Sequence, residues 1–132
     1  MIMNNKDIFI LLSLVSFIID VLNTNCKMNS LYIYTNNLTH HFLIIYAVFG
    51  SLLFGHYRLH VLVILLTILG WLLFKYCILT LYYNRHCGIK DGEHHDNLIY
   101  NGIIQQLPSA IKSYYSIFVF ILIYDVYNIY TE

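Results

Sequence analysis

The chain has 132 residues, of which 59% are hydrophobic and only 11% charged, and its formal net charge is zero with histidines neutral. Soluble domains typically carry about 25% charged residues, so there are too few charges here to clothe a water-facing surface, and the competing description is an unusually apolar soluble helical bundle. Neutrality argues against a nucleic-acid partner, which would need a basic stripe.

Residues 8–22 form the first apolar run, with Asp20 near its end. At 1.5 Å per residue the run covers about 22 Å, short of the roughly 30 Å hydrocarbon core. It reads as a short or tilted span, a signal-anchor or a cleaved signal peptide. The retained span is favoured, because no small-x-small cleavage site stands between Val21 and Cys26. Asn23 to His41 reads as a polar connector, and Asn37-Leu38-Thr39 within it is a glycosylation sequon only if the loop is lumenal.

The second run covers residues 38–55. Ala47, Ser51 and Gly55 recur every four residues beside Gly50, which makes a strip of small side chains along one helix face. In lipid such a strip lets backbones approach closely. A dimer interface is one use for it; an intramolecular contact with the next helix is favoured, because the connection from Gly55 to His60 is short and forces an antiparallel hairpin. Gly70 is the small packing residue of the facing helix. His56 and His60 have the spacing of helical metal ligands, but no third ligand lies near them in sequence, and they read as interfacial histidines.

The third run, residues 60–83, is the longest. Trp71 lies within it, Lys75 is its one charge, and Tyr82 and Tyr83 suit the interfacial aromatic belt. Residues 84–112 are the longest polar segment, expected to contain a short interfacial helix broken or started at Pro108. The fourth run, residues 113–130, is flanked by tyrosines and interrupted by Asp125. Asp20 and Asp125 both sit near run ends and read as interfacial, although buried membrane acids can mark an ion or proton path.

The expected fold is therefore all-α: an integral membrane helical bundle of four transmembrane helices in one domain, multi-pass, with the lipid bilayer as its first partner. Lys27, Arg85, Lys90 and Lys112 then lie on one side with Lys75 nearest it, and Lys6 and Arg58 on the other. The positive-inside rule puts the first side in the cytosol and both termini outside, which would leave the loop cysteines reduced. The cysteines are three, Cys26, Cys77 and Cys87, and neither their odd number nor their spacing implies a disulfide framework or a zinc finger.

Antiparallel geometry brings the start of the second helix level with the end of the third. His40 and His41 should stand near Cys77, Thr80 and Asn84, which share a helix face, while His60 lies about 25 Å away along the helix. One hypothesis follows, a cluster of His40, Cys77, Thr80, Asn84 and Cys87 binding an unidentified metal or doing thiol chemistry. The plainer account makes Cys77 a small core residue with local hydrogen bonds around it. No CxxC, HExxH, GxSxG or P-loop supports an enzyme.

His40, Gly50, Leu59-His60, Cys77-Ile78-Leu79-Thr80, Asn84-Arg85 and Gly88 together resemble the pattern of a family of small bacterial four-helix membrane proteins of unknown function. Ile78 stands where that family has proline and Tyr83 where an acidic residue is usual. The resemblance implies a membrane fold and no particular activity. The function expected from the sequence is a structural or accessory membrane protein, without a cofactor, working with other membrane proteins or a second copy of itself. A His/Cys site and a small channel or transporter are the alternatives.

Overall fold

The computed structural model of the chain describes residues 3–23, 26, 30–74, 77–88 and 114–132. These form five helices and no strand: α1 (Asn5–Asn23), α2 (Leu31–Phe54), α3 (Tyr57–Phe74), α4 (Ile78–Cys87) and α5 (Tyr114–Thr131). The all-α expectation holds. The expected interfacial helix after Cys87, with Pro108, lies outside the described residues.

Two expected boundaries are corrected. The second helix begins at Leu31, not at residue 38, because its polar first turns have partners inside the protein. Asn36 Nδ2 donates to Leu79 O at 3.1 Å and Asn37 Nδ2 to Asp20 Oδ2 at 2.9 Å, so the segment read as a connector needs no water to satisfy it. The long third run is two helices. α3 stops at Phe74 after 18 residues, and α4 restarts behind Cys77, whose backbone is extended at φ −60° and ψ 132°. Eighteen residues already reach about 27 Å, close to the thickness of a hydrocarbon core.

The turn between α2 and α3 is set by one glycine. Gly55 adopts φ +65°, and its N–H closes α2 on Ser51 O at 2.9 Å. This left-handed cap is the conformation glycine accepts at least cost. With His56 alone between Gly55 and Tyr57, α3 must return antiparallel to α2. Gly55 therefore caps the helix; a Cβ there or at Gly70 would meet nothing within 4 Å, so neither is the packing position the sequence suggested. Ala47 and Ser51 are buried within the chain, as the intramolecular use of the strip requires.

α1 lies antiparallel on α2: Asn5 Nδ2 donates to Leu53 O at 2.7 Å, and the Phe9 ring meets Phe42 and Phe54 edge-on at 5.6 and 5.5 Å. α5 lies antiparallel on α3, with Tyr124 against Tyr57 at 6.2 Å and Phe118 against Trp71 at 5.0 Å. α2, α3 and α5 meet at an apolar core of Ala47, Ile64 and Phe118. α4 packs on the first half of α2, where Tyr82 meets Tyr32 at 5.4 Å; Tyr83 is buried, not part of a belt. One end of the bundle thus carries the start of α1, the α2–α3 turn and the end of α5. The other carries the end of α1, the start of α2 and α4.

Two of the helices, α2 and α3, are long and apolar enough to cross a membrane. α1 holds three charged residues, Lys6, Asp7 and Asp20, and the apolar part of α5, Ser116–Thr131, is shorter.

Candidate functional site

The interior is more polar than the surface. Among the described residues six apolar and eight polar side chains are buried, the polar ones being Ser13, Asp20, Asn37, His41, Ser51, His60, Asn84 and Asp125. Large apolar side chains face outward on every helix, among them Leu11 and Val15 on α1, Leu43 and Leu52 on α2, Leu62, Leu65, Leu69 and Leu72 on α3, and Val119 and Ile123 on α5. Buried polar groups demand partners, and here they are organised as two histidine–aspartate pairs.

The first pair joins three helices. His60, in the first turn of α3, is wholly buried; its Nδ1 stands 2.5 Å from Oδ2 of the equally buried Asp125 on α5. Its Nε2 lies 2.9 Å from Tyr46 O on α2. A carbonyl oxygen only accepts, so Nε2 carries a hydrogen and donates it. One further proton lies between Nδ1 and Oδ2, and the pair is neutral as a whole whichever atom holds it. Gly50 makes the contact possible. It stands one turn beyond Tyr46, and a Cβ there would come within 3.0 Å of His60 Cδ2 and 2.9 Å of the Tyr46 ring. Asp125 Oδ1 has no hydrogen-bond partner among the described residues.

The second pair joins α1 to α2. Asp20 Oδ2 accepts from Asn37 Nδ2 at 2.9 Å and stands 3.4 Å from His41 Nε2. That separation is close enough for electrostatic attraction, but the alignment does not make a hydrogen bond, and Nε2 has no hydrogen-bond partner among the described residues. On its other side His41 Nδ1 meets Ser16 Oγ at 2.8 Å. Serine, histidine and aspartate here stand in the order of a nucleophile triad, with the histidine–aspartate contact not aligned as a hydrogen bond. The backbone N–H groups around Ser16 are spent in the α1 ladder.

Both aspartates, expected at the interface, are instead buried against histidines. The spacing of His56 and His60 makes no shared site: His56 is exposed and stacks on Phe54 at 6.4 Å, while His60 turns inward.

The cluster expected around Cys77 is partly assembled. His40 Nε2 and Thr80 Oγ1 meet at 3.3 Å, so the end of the third run does stand level with His40. Asn84 is buried, and Cys77 is a free, half-buried cysteine. Cys87 departs from the expectation, being bonded to Cys26 in a disulfide across 61 residues. The odd cysteine count concealed this pair, with Cys77 as the one left over. A sulfur in a disulfide is not a thiolate ligand, and among the described residues no three His, Cys, Asp or Glu side chains stand close enough to share a metal ion. His94 and His95 lie outside the described residues. No protein-family model, curated protein or solved structure matches the chain.

Proposed function

We propose that the chain is a multi-pass integral membrane protein whose four spans are α1, α2, α3 and α5, with a structural or accessory role among membrane components rather than an enzymatic one. The burial pattern carries this reading: leucine, isoleucine and valine cover much of the outside, while eight of the fourteen buried side chains among the described residues are polar, two histidines and two aspartates among them. A soluble core helix is mostly buried, whereas only 33% of the apolar window of α2 and 11% of that of α3 are covered by the rest of the chain. In lipid no hydrophobic effect drives helices together, and polar contacts between them take a larger share of the work. The two His–Asp pairs fit that role, one fastening α1 and the other α5 to the α2–α3 hairpin. The resemblance to small bacterial four-helix membrane proteins is in keeping with this, since Gly50 and His60 of its pattern meet, as do His40 and Thr80.

The disulfide supports a specific orientation. Cys26 and Cys87 share the end of the bundle opposite the termini, and disulfides persist in oxidising compartments. That end therefore faces away from the cytosol and both termini face it, the reverse of the orientation that the lysine and arginine count favours. By sequence order the positive count favours the opposite orientation, Lys27, Arg85, Lys90 and Lys112 with Lys75 nearest them against Lys6 and Arg58; the disulfide is the stronger constraint, because a thiol pair does not stay oxidised in the cytosol. In cells, the protein should stay with membranes through alkaline extraction. A reporter fused after Glu132 should be active in the cytosol, and Cys26 and Cys87 should resist maleimide until reductant is added. Release at alkaline pH contradicts the membrane reading, and an external C-terminal reporter contradicts the orientation.

A further inference from the structure

We infer that α5 is a conditional span: it crosses the membrane by docking on an α2–α3 hairpin that has already formed, and His60 is the residue that admits it. The inference rests on the membrane reading above and adds an order of insertion to it.

α5 is poorly equipped to enter lipid alone. Its apolar part, Ser116–Thr131, reaches about 24 Å, against roughly 30 Å of hydrocarbon. Its one charged residue, Asp125, stands six residues before Thr131, about 9 Å from that end. An aspartate side chain is too short to reach the interface from there, as a lysine's would, and a carboxylate within a span is among the costliest groups to insert. α3, by contrast, holds no charged residue after Arg58 in its first turn, and its length and composition suffice to cross.

The acid lies on the face that α5 turns to the hairpin. Phe118, Ile121, Leu122 and Asp125 follow the i, i+3, i+4, i+7 spacing of one helix face. Phe118 is wholly buried against Trp71, Ile121 and Leu122 pack on the same core, and Asp125 is wholly buried against His60. Val119 and Ile123 point outward. Without the hairpin, the inner face would set Asp125 against lipid.

The hairpin holds its half of the contact through its own residues. His60 Nε2 donates to Tyr46 O at 2.9 Å, the two rings meet edge-on at 5.4 Å, and Gly50 leaves room for the imidazole. Tyr46 is 14 residues from His60, whereas Asp125 is 65 residues away. Contacts close in sequence cost less loop-closure entropy, and the chain is made from its N-terminus, so the hairpin can seat His60 before α5 exists. With Nε2 spent on the carbonyl, Nδ1 is the nitrogen left for the acid. One proton between Nδ1 and Oδ2 leaves the joined pair neutral, so α5 enters without burying a net charge.

The test uses the full-length chain with an epitope tag after Glu132, expressed in bacteria, pulse-labelled so that later degradation does not enter, and exposed to protease as sealed spheroplasts. In wild type the tag should be protected in the cytosol. In His60→Leu most of the tag should be digested, while the chain stays with membranes through alkaline extraction. Asp125→Val and His60→Leu/Asp125→Val should protect the tag as wild type does; the double variant lacks the same histidine, so its recovery assigns the loss to an acid without its partner. A tag on the same side in wild type and His60→Leu overturns the inference, because α5 then crosses, or fails to cross, regardless of His60. A double variant that behaves like His60→Leu overturns it too. A digested tag in wild type with a protected one in His60→Leu supports it and reverses the orientation given above. Release of wild type at alkaline pH overturns the membrane reading and the inference together.

Discussion

Replacing His60 with leucine should destabilise the folded protein by about 3–5 kcal/mol, the cost of breaking a buried ionic pair by removing one partner. The change strands Asp125 at zero exposure with neither oxygen satisfied, and it removes the donor to Tyr46 O. The loss should exceed that of a single neutral bond between membrane helices, about 0.6 kcal/mol on average and at most about 1.7. Asp125→Val alone should cost a similar amount, because the His60 donor at Nδ1 or its lone pair is then left dry. The double variant His60→Leu/Asp125→Val should recover most of the loss, since apolar residues of similar volume replace a buried pair at little or no cost. Helicity followed through a titration from mild detergent into dodecyl sulfate reads all three. Equal and additive losses would show that the two side chains do not act on one another.

Asp20→Ala should be the next most damaging change. It removes the acceptor of Asn37 Nδ2 and the charge facing His41 Nε2 in one step, and both donors lie in buried residues. At about 1–3 kcal/mol for a buried polar group left unsatisfied, the expected loss is about 2–4 kcal/mol, directed at the docking of α1. Asp20→Asn keeps an oxygen for Asn37 and should recover roughly half of it. The same titration measures both, and proteolysis should release α1 from the alanine variant before any other helix. An alanine variant as stable as wild type would mean that α1 is held by its apolar contacts, chiefly Phe9 with Phe42 and Phe54.

The helical class and four of the helix positions were legible in the sequence, because an apolar run of near-spanning length has few other structures open to it. The break at Cys77 was not. Ile78 is a residue any helix accepts, and the extended N-cap at Cys77 leaves no local composition signal. The early start of α2 was hidden by Asn36 and Asn37, which look like loop residues until their partners on α4 and α1 are known. The disulfide was hidden by distance, 61 residues, and by the leftover Cys77.

The site was half visible. Antiparallel geometry led from the hairpin to the meeting of His40 with Thr80. The same logic, applied to the acids, had the material for the rest: Asp20 and Asp125 each interrupt an apolar run, and His41 and His60 lie on the facing helices. Nearness to a run end argued for an interfacial place, and what buries the two acids is a histidine on the facing helix, His41 for Asp20 and His60 for Asp125. His60 and Asp125 are 65 residues apart, and only the pairing of α5 with α3 makes them neighbours. The signal available in advance was the conjunction of an acid and a histidine inside apolar runs, which in a membrane marks groups that need one another.

The central claim is that apolar side chains on all four long helices face lipid around a polar interior. Single cysteines at Val15, Leu43, Leu65 and Ile123 test it directly, in a Cys77→Ser background with the native disulfide intact; each position is outward-facing on a different helix. In native membranes, sealed or made leaky to small solutes, a charged maleimide should label none of the four, and all should label once the protein is denatured in dodecyl sulfate. Labelling of all four in intact membranes, or recovery of the protein in the soluble fraction, would contradict the account.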